Sequence, residues 1–167
     1  MGVQLYAPTK CTGDIQMKTF SSVDEILDFA IAKEEEAANF YSDLAKRMKN
    51  PAMKKLFEDF SREELSHKAK LMAVKSGKLL LKAKEKVLNL KIAEYVSEVP
   101  KTGDFDYQKA LILAMNREKE SFKLYNDLAS TTDDVGIRET FLALAQEEAK
   151  HKLRIELEYD ERILGEN

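Results

Sequence analysis

A chain of 167 residues with a formal charge of -3 is long enough for one domain with a sizeable core and too acidic for a general nucleic-acid binder. Its single cysteine, Cys11, excludes a disulfide framework within the chain and a Cys-x-x-Cys metal site. With 34% charged residues, 6 glycines, 3 prolines, no basic-then-apolar leader and no apolar run near the ~20 residues of a membrane span, it reads as a helical protein of the reducing cytoplasm.

Residues 1–20 hold Gly2, Pro8, Cys11 and Gly13, show no period and read as an extended N-terminal arm; residues 21–167 read as a single bundle domain. Ser22-Val-Asp-Glu25 has the pattern of a capping box, in which the hydroxyl takes one unpaired helical N–H and Glu25 reaches back to another. It opens a helix over about 22–49, whose apolar stripe is Leu27, Ala30, Ile31, Ala37, Ala38, Tyr41, Leu44, Ala45 and Met48. Asn50-Pro51 breaks the chain and restarts it, because proline is tolerated at the first helical position. The second helix turns Met53, Leu56, Phe57, Phe60, Leu71 and Val74 inward and ends near Ser76, with Gly77 as its stop. So short a join makes the two helices antiparallel neighbours.

Residues 78–105 form a long crossover connection. Lys78, Lys82, Lys84, Lys86 and Lys91 read as its solvated charges, and Ile92, Val96 and Val99 suggest one short helix ending before Pro100. A third helix follows over about 106–130. Asp133 or Asp134 caps a fourth that reaches about Glu161, with Ile137, Phe141, Leu144 and Ile155 inside and Gly165 beyond its end. The second half repeats the first at an offset of 84. Leu27 matches Leu111, Tyr41 matches Tyr125, Phe57 matches Phe141, Glu63-Glu64 matches Glu147-Glu148, and His67-Lys68 matches His151-Lys152. Two helical hairpins related by a pseudo-twofold axis therefore close into an all-α four-helix bundle.

Both histidines of the chain lie three residues after a glutamate, in Glu64-Leu-Ser-His67 and Glu148-Ala-Lys-His151, and Glu34 and Glu118 each lie 30 residues before those glutamates. Residues three apart share one side of a helix. All six fall on the apolar stripes. With 19 glutamates in 167 residues, chance puts one at this place before both histidines on the order of one time in a hundred. A bare buried carboxylate costs several kcal/mol or takes up a proton. Two divalent cations would balance four carboxylates, and the imidazoles would fill further coordination positions. Glu34, Glu64, His67, Glu118, Glu148 and His151 are thus the candidate metal ligands. An oxygen and nitrogen donor set without thiolate suits iron, manganese or zinc; a pair of iron ions is the preferred occupant.

Glu35, Glu36, Glu63, Glu120 and Glu147 lie near the ligands but off their phase and read as solvated or salt-bridged; Glu36 and Glu120, a repeated pair, are candidates for supporting the ligands. Tyr41 and Tyr125, two turns beyond Glu34 and Glu118, read either as buried tyrosines with any acceptor or as hydroxyls that orient a ligand carboxylate on another helix. Phe40, Phe57, Phe122 and Phe141 read as core.

The stretches Glu34-Glu-Glu-Ala-Ala-Asn-Phe-Tyr41, Glu64-Leu-Ser-His67, Glu118-Lys-Glu-Ser-Phe-Lys-Leu-Tyr125 and Glu148-Ala-Lys-His151 resemble the rubrerythrin branch of the ferritin-like superfamily over about residues 22–160. The resemblance implies a ferritin-like bundle in which Glu64 and Glu148 bridge two ions and Glu34, Glu118, His67 and His151 are terminal ligands. Two departures stand out. The family's further glutamate, one turn after the third-helix ligand, is replaced by Ser121, and the paired Cys-x-x-Cys motifs of a rubredoxin domain are missing from this sequence.

The function that follows from the resemblance is a di-iron oxidoreductase that reduces hydrogen peroxide, or takes dioxygen as oxidant, with electrons from a separate donor protein. The alternatives are ferritin-like iron oxidation and storage, and a bundle whose metal is only structural. No catalytic side chain identifies itself. A homodimer is expected, the 78–105 connection being long enough to allow hairpins to be exchanged between two chains, with no nucleic-acid or membrane partner.

Overall fold

In the computed structural model the described residues are 17–18, 20–78, 90–91 and 106–165. They form β1 (Met17–Lys18), α1 (Val23–Arg47), α2 (Pro51–Lys78), β2 (Leu90–Lys91), α3 (Tyr107–Ser130) and α4 (Val135–Tyr159), the last continued by one π-helical turn over Asp160–Leu164. Helices α1 and α2 pack as one hairpin and α3 and α4 as the other; the two hairpins close into a four-helix bundle. Most of the arm at 1–20 and of the crossover at 78–105, including the short helix expected around Ile92, Val96 and Val99, lies outside the described residues. Within those two stretches Met17 and Lys18 pair antiparallel with Lys91 and Leu90, a two-residue ribbon that the helical composition gave no hint of.

Local chemistry sets the helix ends. Ser22 Oγ accepts from the Glu25 N–H at 3.2 Å while the Glu25 carboxylate accepts from the Ser21 N–H at 2.8 Å. Asn50 Oδ1 accepts from the N–H groups of Ala52 and Met53, and Pro51, with no N–H to satisfy, takes the first helical place. Asp106 caps α3 through the Lys109 N–H, and of the two aspartates expected before α4 it is Asp134 that caps it, through Ile137. Gly77 does not stop α2. The helix runs through it to Lys78, and Gly77 does not adopt the left-handed φ that a glycine cap uses. The glycine that ends a helix is Gly165: its N–H reaches Asp160 O at 2.9 Å, and a Cβ there would stand 2.6 Å from Glu161 O.

The apolar stripes collapse into two clusters. One joins Phe20, Val23, Ile26, Leu27 and Ala30 of the first hairpin's open end to Leu71, Leu124, Leu128, Ile137, Phe141 and Leu144. The other joins Tyr41, Leu44, Ala45, Phe57 and Phe60 to Tyr107, Ala110, Leu111, Ala114 and Ile155. Each fully buried leucine or phenylalanine among them contributes roughly 1.5–3 kcal/mol. Ile31, Met53, Leu56 and Val74 are only partly buried at the margins. Phe122 is not core: it is 37% exposed, because it falls just past the edge of the α3 arc that buries Leu111, Glu118, Tyr125 and Ala129. Between the two clusters, at the same level on all four helices, the apolar contacts stop and charged residues fill the interior.

Candidate metal centre

That level holds Glu34 of α1, Glu64 and His67 of α2, Glu118 of α3, and Glu148 and His151 of α4, none more than 4% exposed. Each continues its helix's buried stripe: Glu34 lies between Ala30 and Ala37, Glu64 and His67 between Phe60 and Leu71, Glu118 between Ala114 and Leu124, and Glu148 and His151 between Ala145 and Ile155. The fold brings all six together in two overlapping sets. One is Glu34, Glu64, His67 and Glu148; the other is Glu64, Glu118, Glu148 and His151. Within each set one ligand atom per residue lies within 4.8 Å of the others. Glu64 and Glu148 belong to both.

The imidazole rings stand face to face, 5.4 Å apart and 9° from parallel, with their Nδ1 atoms turned to the carboxylates. His67 Nδ1 lies 3.1 Å from Glu148, 3.3 Å from Glu64 and 3.6 Å from Glu34. His151 Nδ1 lies 3.1 Å from Glu64 and 3.5 Å from both Glu118 and Glu148. The tyrosines complete the pattern across the bundle. Tyr41 of α1 donates its hydroxyl to Glu118 Oε1 on α3, and Tyr125 of α3 donates to Glu34 Oε1 on α1.

So many acids cannot share this interior as bare anions. Burial, reinforced by Glu148 and Glu64, pushes the Glu118 carboxyl well above the ordinary carboxylate range. Burial does the same to Glu34, against the opposing pull of His67. Burial also works against charge on the imidazoles, but their carboxylate neighbours outweigh it, so that His151 is pushed up to about 12 and His67 is raised as well. Burial would raise Glu148 too, yet contacts with His151 and His67 hold it well below its usual range. A cation among the carboxylates would supply the positive charge that they otherwise favour on the imidazoles.

Four atoms test whether the residues fit metal. Glu34 Oε2, Glu64 Oε1, Glu118 Oε2 and His151 Nδ1 are buried and make no hydrogen bond, although the imidazole lies within ion-pairing distance of its acids. Folded proteins rarely leave such groups unmatched without a missing ion or water. All four belong to the two overlapping sets, and every donor is the oxygen or nitrogen that a hard or borderline cation takes. The residues fit a pair of divalent ions.

Two neighbours are salt-bridged as expected, to Lys70 and Arg154, but also reach the histidines, which the sequence reading did not foresee. Glu147 Oε2 accepts from His67 Nε2 at 2.6 Å, and Glu63 Oε2 lies 2.6 Å from His151 Nε2. Both were set aside because they are out of phase with the ligands of their own helices; their partners are on the opposite helix. The available signal was a second repeat, since Lys70 and Arg154, which bind Glu147 and Glu63, keep the same offset of 84. By contrast Glu35 and Glu36 stay on the surface, paired to Lys68 at 3.2 Å and Lys33 at 2.7 Å, so Glu36 gives the ligands no support.

The family model for rubrerythrin matches residues 25–159, most of the chain. Two solved structures share the fold. One is a protein of Pyrococcus furiosus described as hypothetical, 24% identical, with a TM-score of 0.63 over 84% of this chain and 89% of that one. The other, from Thermotoga maritima and provisionally described as a ferritin-like diiron-carboxylate protein, is 22% identical, with a TM-score of 0.63 over 84% of this chain and 95% of that one. A search of curated proteins returns no match. Among the described residues no helix is long and apolar enough to cross a membrane.

Proposed function

The chain belongs to the rubrerythrin family, and from that premise we propose that it is a di-iron oxidoreductase that reduces hydrogen peroxide with electrons from a separate donor protein. The observation that carries the metal assignment is the pair of four-residue sets sharing Glu64 and Glu148 around four unmatched buried atoms. Glu34 and His67 would hold one ion, Glu118 and His151 the other, and Glu64 and Glu148 would serve both. Manganese or zinc is the alternative occupant.

Ferrous ions held there would supply the two electrons that, with two protons, convert one peroxide to two waters. The chain's own residues prepare for this in three ways. Tyr41 and Tyr125 fix one oxygen each of Glu118 and Glu34 and leave the other directed inward. Phe60, edge-on to His151 at 5.2 Å, and the apolar clusters at either end keep bulk water from the centre. Ser121, partly buried one turn after Glu118, stands where the family carries a further carboxylate, so the six residues named here make up the proposed ligand set.

We read the assembly as a homodimer. Leu142, Leu153 and Leu157 on the outer face of α4 are between 43% and 59% exposed, a surface a second copy would cover.

The test is metal analysis of anaerobically purified protein, followed by peroxide or dioxygen addition under optical spectroscopy. Two irons per chain, oxidised faster by peroxide than by dioxygen, support the reading. Faster oxidation by dioxygen in a many-subunit particle would turn it into iron storage. Metal that reacts with neither would make the centre structural.

A further inference from the structure

Glu63 and Glu147 are out of the ligand phase, yet each closes on a histidine of the opposite hairpin. Glu147 stands on α4 beside Glu148 and meets His67 of α2; Glu63 stands on α2 beside Glu64 and meets His151 of α4. A cation on the histidine's own helix, three residues further on, holds each glutamate from outside. Lys70 Nζ reaches the two oxygens of Glu147 at 3.0 and 3.1 Å, and Arg154 reaches Glu63 at 2.8 Å. Each unit is thus a histidine and a cation from one hairpin, closed by a glutamate from the other.

We propose that Glu63 and Glu147 are positioning residues of the metal centre, each fixing the ring orientation and tautomer of the opposite hairpin's histidine. The inference rests on the dinuclear-metal reading. A neutral imidazole carries one N–H. A carboxylate at Nε2 takes that hydrogen and leaves the Nδ1 lone pair for an ion. Nδ1 is the nitrogen that faces the shared carboxylates, at 3.1 Å from Glu148 in His67 and 3.1 Å from Glu64 in His151. Without its glutamate a ring gains a second tautomer and a flipped orientation, and only part of the population can bind.

The bland alternative is that Glu63 and Glu147 only make surface ion pairs with Arg154 and Lys70, which add little to stability and nothing to the centre. The two units also differ. Arg154 packs over Phe60 at 4.6 Å, and Phe60 lies against His151, whereas the residue matching Phe60 in the repeat is Leu144. Among the described residues His151 therefore has an aromatic wall that His67 lacks. Loss of Glu147 should cost more than loss of Glu63.

The experiment uses the full chain and zinc alone, with affinity from chelator competition and tautomers from long-range nitrogen–proton spectra of the histidines. The two glutamate side chains are 37% and 39% exposed, so alanine removes little packing. Glu147→Ala should weaken zinc binding about 10–100-fold and change the His67 pattern while His151 keeps its own. Glu63→Ala should do the reverse, with a smaller loss. Glu147→Gln, whose amide oxygen still accepts from Nε2, should restore the His67 pattern and most of the affinity. Wild-type affinity with an unchanged His67 pattern in Glu147→Ala overturns the proposal, as does an equal disturbance of both histidines by either variant. Wild-type protein that takes up no zinc would sink the metal reading itself, before any variant is compared.

Discussion

Because Glu148 belongs to both four-residue sets and Glu34 to only one, the two substitutions should differ in kind. Glu148→Ala opens both ion positions. Glu34→Ala leaves Glu64, Glu118, Glu148 and His151 in place and opens only the position beside His67. At a free metal concentration a hundredfold above the dissociation constant, one site stabilises the fold by about 2.7 kcal/mol. For a domain of this size, each kcal/mol moves the midpoint by about 2–4 °C, so each ion should raise Tm by about 5–11 °C. Wild type should show two such increments, Glu34→Ala one and Glu148→Ala none. Each protein is measured with and without Mn(II), so that its own metal-free midpoint is the baseline and the difference isolates the ion. Metal counts after desalting should fall in the same order. If Glu148→Ala keeps one full increment, Glu148 is not shared. If Glu34→Ala loses as much as Glu148→Ala, the two positions are not separable, and the assignment of residues to two sets fails.

Three further outcomes follow. Tyr125→Phe removes the hydroxyl that Glu34 accepts and leaves a buried carboxyl oxygen without a partner, a cost of ~1–3 kcal/mol, and Tyr41→Phe does the same at Glu118; urea unfolding of the metal-free protein should show each loss, and a change under ~0.5 kcal/mol in both would mean these bonds do not form. Metal affinity should rise with pH across the neutral range. Glu34 and Glu118 bind protons more tightly than ordinary carboxyls, and His67 and His151 more tightly than ordinary imidazoles; those protons must leave before an ion enters, and higher pH removes them. Affinity that is flat or falls with pH, measured by calorimetry in several buffers, would contradict this. Phe60→Ala should cost ~3–5 kcal/mol, since the ring is fully buried against Tyr41 and His151; a chemical-denaturation midpoint near wild type would show that the site collapses without it.

The fold and the six inward donors were legible in the sequence because both are carried by spacing. Apolar residues at steps of three and four define the stripes, and a carboxylate or imidazole that keeps step, as Glu64 does between Phe60 and Leu71, must be buried with them. Ends set by local chemistry were legible too: Ser22, and Asp134 of the two aspartates expected before α4, cap through their own side chains, and Pro51 opens α2. Gly77 misled because a glycine does not stop a helix by itself: the backbone at Gly77 stays helical and α2 runs on to Lys78. Phe122 misled because one step of phase separates the buried arc of α3 from its exposed edge. Glu63 and Glu147 were missed for a different reason. Phase on a helix tells which residues face its own core, not which of the others reach a side chain on a facing helix.

That distinction bears on how the centre is built. Neither hairpin contains a complete set: Glu34, Glu64 and His67 come from the first and need Glu148 from the second, while Glu118, Glu148 and His151 need Glu64 in return. The tyrosine bonds cross in the same way, α1 to α3 and α3 to α1. Acids crowded at one level make closing the hairpins unfavourable unless protons or cations come with them, so the interaction that most opposes association in the bare bundle is the one an ion reverses. An exposed surface pair could not link metal to fold in this way, since solvent would screen it; burial between two apolar clusters is what makes ion binding and hairpin docking one equilibrium. Binding at one position also brings Glu64 and Glu148 into place for the other. The two ions should therefore load cooperatively, with a steeper metal titration than two independent sites give. A titration fitted by two independent constants, with Glu64 and Glu148 intact, would show that the shared carboxylates do not couple them.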